Sequence, residues 1–422
     1  MVTAFAVACA GTRRAPDPYL SDAHFRRAAL VASLVNTANG YSQLRISHYD
    51  TGDAEDWSRL PEWNPRVEGV RAGELDTPEG AKAEAPLGAG ARPVAIDAAA
   101  LDGDEASLVA LGEEAFFRYP VQTSLSAETA TVSRDTFARY GFWIDEKRGA
   151  GGLVRAETAN GDRIFAYTCA TCHSAYRGGK LVIGVGNDLL NLGRLAVDAA
   201  ASPDSIAAAR WLDWGPGRVD VSTSEGLEPV RIADVRPTRW LTHLHADATV
   251  AVRDRTALAI RLETLIVTSH HQLVRPPRII ALGLAAYLES LASELPTVPP
   301  QTEVELHGAN VFHENCASCH VPPAFTGAPV PLHVVGTNSY IGLSPDRGTG
   351  TYRVPSLRGV ATRGPLLHDA SLPGLDAMFD PARTTSTYEG GRLGPGAVSG
   401  HPYGLRLREA ERLALTAYLQ TL

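Results

Sequence analysis

Cys169-Ala170-Thr171-Cys172-His173 recurs as Cys316-Ala317-Ser318-Cys319-His320, 147 residues further along, and four of the five cysteines lie in these two pentapeptides. Cys-x-x-Cys-His is the attachment signature of a c-type haem. Two thiols add to the porphyrin vinyl groups as thioethers, and the adjacent imidazole takes an axial position on the iron. The spacing is mechanical: two intervening residues on one helical turn bring both sulfurs beneath the vinyls and turn the next side chain toward the metal. Rival chemistries use the same thiols, since Cys-x-x-Cys is also half a zinc site or a redox dithiol, and two pairs make a four-cysteine zinc site. Neither needs a histidine directly after each pair. Its presence after both favours two covalently bound haems, with Cys169, Cys172, Cys316 and Cys319 as attachment points and His173 and His320 as axial ligands.

The sixth position on each iron decides what such a site does. Filled, it passes electrons; vacant, it binds oxygen or peroxide. The segment 270–291 (HHQLVRPPRIIALGLAAYLESL) stands over 401–422 (HPYGLRLREAERLALTAYLQTL) without gaps, so His270 and His401 occupy equivalent places and are the expected distal ligands. His271, His243 and His245 are rivals at the first site. His368 is expected to bond a haem propionate or order a loop, and Met378 to be a core residue. Arg177, Arg194, Arg353 and Arg358 fall where propionates need a guanidinium, although surface ion pairs would use them equally. Trp211, Trp214 and Trp240 stand either between the haems or in the core.

Stepping outward, each half closes on a helix ending Ala-Tyr-Leu-x-Ser/Thr-Leu. Gly161-Asp162-Arg163-Ile164-Phe165 stands over Gly308-Ala309-Asn310-Val311-Phe312, which predicts a short helix leading into each motif. The expected fold is mainly α: two tandem cytochrome c-like helical modules with long loops, at 150–295 and 300–422, behind an N-terminal region. Proline cannot continue a helix, so Leu295-Pro296-Thr297-Val298-Pro299-Pro300 separates the modules and the second starts near Thr302. In the N-terminal region, 21–149, Ser21 is placed to cap a helix to about Ala38 with Phe25, Ala29, Ala32 and Val35 on one face. The stretch 72–106 is a linker or surface loop, residues 106–117 are helical, and 133–143 is a further short helix. Asp220-Val221-Ser222 and Val230-Arg231-Ile232 are expected to pair as a hairpin.

Composition restricts the function. The chain has 422 residues, 44% of them hydrophobic, and a formal charge of −8. Residues 1–120 carry 18 acidic against 11 basic side chains, and 297–422 carry 10 against 9. With no basic face, nucleic acid is not expected as a partner; redox proteins are. At the start, MVTAFAVACAGTRR has an apolar stretch far shorter than the roughly 20 residues of a spanning helix. It reads as residues 1–20 being a signal-peptide remnant or lipoprotein anchor region, with Ala6-Val7-Ala8-Cys9 like a lipobox. Haem c attachment of this kind implies export to the periplasm, anchored or free.

Arg353-Val354-Pro355-Ser356-Leu357-Arg358-Gly359-Val360 and Pro365-Leu366-Leu367-His368-Asp369, followed by Ser371-Leu372-Pro373, resemble C-terminal segments of the di-haem family of bacterial cytochrome c peroxidases and MauG-type enzymes. That family carries Pro-Ser/Thr-Leu-Arg-Asn and Pro-Tyr-x-His-Asp-Gly there. Gly400-His401-Pro402-Tyr403-Gly404 is similar to the rubber-oxygenase branch, whose C-terminal haem takes a distal His in a Gly-His-x-x-Gly setting. The resemblance spans about 150–422 and implies a reactive first haem fed by the second. Departures are clear. The segment 365–370 lacks the family's aromatic and ends in Ala, and 174–191 holds no histidine where the peroxidases place a distal one. The expectation is therefore a periplasmic di-haem electron carrier, with a di-haem peroxidase or oxygenase as the alternative.

Overall fold

The computed structural model describes residues 17–422 except 79, 81, 102–103, 124–125, 221, 223–225 and 271–272. About 40% of the chain is helical and 12% is strand, the strands forming small sheets. Helices thus predominate, but the fold is more mixed than the expected mainly α architecture.

The second half follows the expected plan closely. Thr302 caps the helix Glu303–Asn315, its hydroxyl accepting from the Glu305 amide while the Glu305 carboxylate accepts from the Thr302 amide. This reciprocal box satisfies two amides that would otherwise lack partners at the helix start. The helix crosses the closing helix Glu409–Leu419 at Gly308, where a Cβ would lie 1.9 Å from the Ala414 carbonyl oxygen. Only glycine permits that approach. One helical turn on, Phe312 meets Tyr418 with ring centres 5.4 Å apart.

The same crossing exists in the first half, built from a helix that lies far upstream. Closing helix Arg278–Ser290 packs against Glu105–Arg118, and a Cβ on Gly112 would lie 1.9 Å from the Gly283 carbonyl oxygen. Phe116 meets Tyr287 with ring centres 5.3 Å apart. Gly112 and Phe116 are therefore the counterparts of Gly308 and Phe312. The expected short helix at 161–165 is corrected: Arg163–Tyr167 is a strand, paired with Leu153–Glu157. Cys316 follows Phe312 by 4 residues, whereas Cys169 follows Phe116 by 53, so 49 residues are added in between. Part of them joins Val67–Gly69 in a four-stranded antiparallel sheet ordered Val67–Gly69, Leu153–Glu157, Arg163–Tyr167, Gln122–Thr123.

Other expectations shift in detail. The helix expected from Ser21 is Ala23–Ser33, capped by Asp22, and it buries Arg26, Leu30 and Ser33 while Phe25 and Val35 stay exposed. The reason is polar: Arg26 pairs with Asp50 at 2.6 Å, which rotates that face inward. The stretch 72–106 is no free linker, since Leu75, Ala91, Val94 and Leu101 are buried. The hairpin forms between Arg218–Val219 and Val230–Arg231, two residues earlier than expected on its first strand; Val221 lies outside the described residues. The N-terminal region docks on helix Arg255–Ser269 through Tyr19 and Tyr49, whose hydroxyls both donate to Glu263 at 2.8 and 2.7 Å.

Candidate haem sites

At the second motif, Cys316 caps the opening helix and lines a cavity shared with Cys319, His320 and His401. Burial pushes the Cys316 thiol up to about 11, which keeps it protonated before any thioether forms. His320 is fixed through its Nδ1, 3.2 Å from the Phe325 carbonyl oxygen, which leaves Nε2 as the free ring nitrogen. A second-sphere carbonyl of this kind selects the tautomer that ligates through Nε2.

Opposite stands His401, its ring centre 6.4 Å from that of His320. Two metal–imidazole bonds of about 2.0 Å, with ring centres about 1.1 Å behind the nitrogens, give about 6.2 Å. The two rings are spaced for one metal ion between them. Burial brings both imidazoles down to about 4, so both are neutral donors at physiological pH.

The backbone shows what holds His401 there. Its φ is +46°, a region non-glycine residues rarely enter, and Gly400 before it stands at +89°, where a Cβ would come 2.3 Å from Thr337 Cα. Such a conformation persists only when its surroundings over-determine it. Arg383 does so. Fully buried, it donates to the carbonyls of Met378, Val398, Gly400 and His401, at 2.6 to 3.0 Å. The His401 amide donates to Val335, and Tyr403 packs edge-on against the His401 ring at 5.4 Å. Arg383 carries no motif, and sequence reasoning missed it; the glycines flanking His401 were the only visible signal.

The first motif is anchored as firmly but faces a different partner. Trp143 donates to the Ala170 carbonyl at 2.9 Å, and Thr168 and Thr171 both donate to Gly152 at 2.8 and 3.2 Å, fixing the turn Cys169–Cys172. Burial pushes both thiols up to about 12. His173 Nδ1 lies 2.9 Å from the Ala233 carbonyl oxygen, so its Nε2 is the ring nitrogen left over, as in His320. His270, the expected distal ligand here, has Pro120 and Trp63 as neighbours. Its Nε2 is 3.0 Å from the Pro120 carbonyl oxygen, and its ring meets Trp63 edge-on at 4.8 Å. Pro120 belongs to the segment added in this half.

Among the rivals, His245 takes a hydrogen bond from Arg261 and packs on Tyr41, His243 sits beside Thr242, and His271 lies outside the described residues. Met378 is a core residue beside Phe379 and Leu415. Of the expected propionate partners, Arg177 pairs with Asp188 and Arg194 with Asp198, both at 2.9 Å. Arg358 bonds the Pro323 and Leu295 carbonyls and covers Trp240. Arg353 alone of the four lines the second cavity, deep enough for burial to bring its guanidinium down to about 10. A buried cation facing a cofactor space fits a carboxylate-bearing porphyrin.

The two motifs are linked across the seam. Asp234, next to the Ala233 that holds His173, pairs with Arg236 at 2.6 Å and with Arg363 at 3.4 Å. Arg363 in turn donates to the Ser356 carbonyl at 2.7 Å, and the Ser356 hydroxyl donates to Ala324, the residue before the carbonyl that holds His320.

No family model and no curated protein matches the sequence. Among solved structures, the chain is similar to a MauG-like protein associated with microbial copper homeostasis, at 19% identity and a TM-score of 0.35, over 49% of this chain and 78% of that one. It is also similar to Kuenenia stuttgartiensis hydrazine synthase under xenon pressure, at 14% identity and a TM-score of 0.35, over 86% of this chain and 97% of that one. At that level of similarity the geometry of the sites, not the likeness, carries the functional reading.

Proposed function

We propose that this protein is a periplasmic di-haem c-type cytochrome that carries electrons between redox partners. Each half is a cytochrome c-like module whose opening and closing helices cross at a glycine. The observation that carries the reading is the facing pair His320 and His401, set one metal ion apart above Cys316 and Cys319. A haem held there supplies a one-electron couple. The chain's own work is to keep both imidazoles neutral and aimed, through the Phe325 carbonyl on one side and the Arg383 cradle on the other, and to offer Arg353 to a propionate. With two protein ligands the iron has no place for a substrate, which favours transfer over chemistry.

The first site supports a second reading. Among the described residues His270 is engaged with Pro120 and Trp63, and with His271 outside them a first haem without an opposing imidazole, reacting with oxygen or peroxide, would be the di-haem enzyme alternative. Carbon monoxide added to the fully reduced protein separates the two, since it binds only a vacant or weakly held iron. No spectral change supports a pure carrier; one equivalent bound, retained in His270→Ala, supports a reactive first haem. As for location, no helix among the described residues is long and apolar enough to cross a membrane. Cys9 lies outside the described residues, and a lipid anchor there is tested by Cys9→Ser, which should release the protein from membranes if the anchor exists.

A further inference from the structure

His368, expected to bond a haem propionate or order a loop, stacks on Tyr352, and its carbonyl accepts from the Arg231 amide at 2.8 Å. It lies in the wall of a separate cleft of about 220 Å³, lined from the first half by Arg210, Asp213, Arg218 and 226–229 and from the second by Asn338, Tyr340, Ile341, His368 and Asp369. Only one ring separates the two spaces. Tyr352 lines the second haem cavity, and its ring stacks on His368 with centres 4.6 Å apart and planes 26° from parallel. Its hydroxyl donates to the carbonyl of Asn338, another residue of the cleft wall. Tyr352 is itself buried and keeps two π-systems in contact between the two spaces.

We infer that this cleft is an entry site for a small uncharged hydroxyaromatic reductant of the phenol or hydroquinone class, which delivers electrons to the second haem through His368 and Tyr352. The inference rests on the proposed function above. Size is the first argument: at about 220 Å³ the cleft exceeds the roughly 150 Å³ that suffices to hold one benzene ring. Charge is the second. Arg210 and Arg218 line it together with Asp213, Glu228 and Asp369, so it presents no net positive field that would select an anion such as ascorbate. Shape and polarity are the third, because Leu227, Pro229, Tyr340 and Ile341 supply apolar walls around the His368 imidazole. The fourth is the stacked pair Tyr352 and His368 between the two spaces, which gives an electron a path from a reductant in the cleft, and a hydroquinone yields one with loss of one proton. The balance is that one hydroquinone loses one electron and one proton, leaving a neutral semiquinone; the ferric iron becomes ferrous, and the proton passes to the neutral His368 ring and then to water.

The test uses the haem-loaded protein. Resorcinol, a poor reductant, is titrated calorimetrically as a binding probe, and benzene-1,4-diol is mixed with the oxidised protein while the haem absorbance is followed. Dithionite reduces the same samples as a control. Expected are saturable binding of resorcinol, saturable reduction by the diol, and at least a tenfold loss of the diol rate in His368→Ala with dithionite reduction unchanged. Leu227→Trp fills the cleft from an exposed loop position without touching the core, and should abolish resorcinol binding and saturation. A protein with no dithionite-reducible haem overturns the proposed function itself. Haems that dithionite reduces normally, with no resorcinol binding and with a diol rate linear in concentration and equal in both variants, overturn the donor site alone.

Discussion

His320 and His401 face each other with ring centres 6.4 Å apart across the second cavity, although 80 residues separate them in the chain. The spacing matches two imidazoles on one iron. His401→Ala should therefore open the second site: the oxidised protein gains a high-spin component, and the reduced protein binds one more equivalent of carbon monoxide than the parent. An unchanged spectrum would mean that His401 ligates nothing.

Arg383 is predicted to matter almost as much while never touching the iron. It holds four carbonyls around His401, two of them in the left-handed segment Gly400 and His401. Arg383→Met removes those bonds at similar length, and orphaned buried carbonyls cost about 1–3 kcal/mol each. The expected outcome is a partial spin-state change at the second haem together with lower thermal stability. A stability loss with a wholly low-spin spectrum would show that the loop holds its shape without the arginine.

The two glycine crossings give a paired prediction. Alanine at Gly112 or Gly308 would place a methyl group 1.9 Å from a carbonyl oxygen of the facing helix, and overpacking of this kind costs about 1–3 kcal/mol. Both variants should melt earlier in chemical denaturation. If only Gly308→Ala did so, the first crossing would not be the structural equal of the second.

Much of this was legible in the residues, and the failures have a common cause. The two motifs and the closing helices could be read because each keeps its own spacing. Three offsets are present: 147 between motifs, 131 between His270 and His401, and 196 between Gly112 and Gly308. Using the motif offset everywhere set strand Arg163–Tyr167 over a helix, because 49 residues had been added just before Cys169. Gly-x-x-x-Phe occurs at Gly112, Gly161 and Gly308, so that pattern by itself could not single out the true opening helix. The same added segment carries Pro120, whose carbonyl oxygen lies 3.0 Å from His270 Nε2, a neighbour that the sequence equivalence with His401 did not reveal. Long-range polar contacts such as Asp234 with Arg363 leave no local pattern at all.

That buried pair predicts a pH dependence. Burial by itself would raise the Asp234 carboxyl, but Arg236 and Arg363 outweigh it and hold it below its ordinary 3.8. A depressed carboxyl contributes stability that is present above its unfolded value and is lost as pH falls through the folded one. Asp234→Asn leaves two buried guanidiniums unpaired, a change of about 3–5 kcal/mol. The gap between parent and variant in thermal unfolding should be full at pH 7 and should shrink below about pH 4. A gap that stays constant down to pH 3 would remove the ion pair as its source.

The central claim is covalent attachment of two haems, and intact mass of the exported protein under denaturing conditions tests it most directly. The expected result is an addition of roughly 1.2 kDa, two haems held by thioethers, falling by half when Cys169 and Cys172 are both replaced by Ala. An unmodified mass, or four free thiols that bind zinc instead, would contradict it.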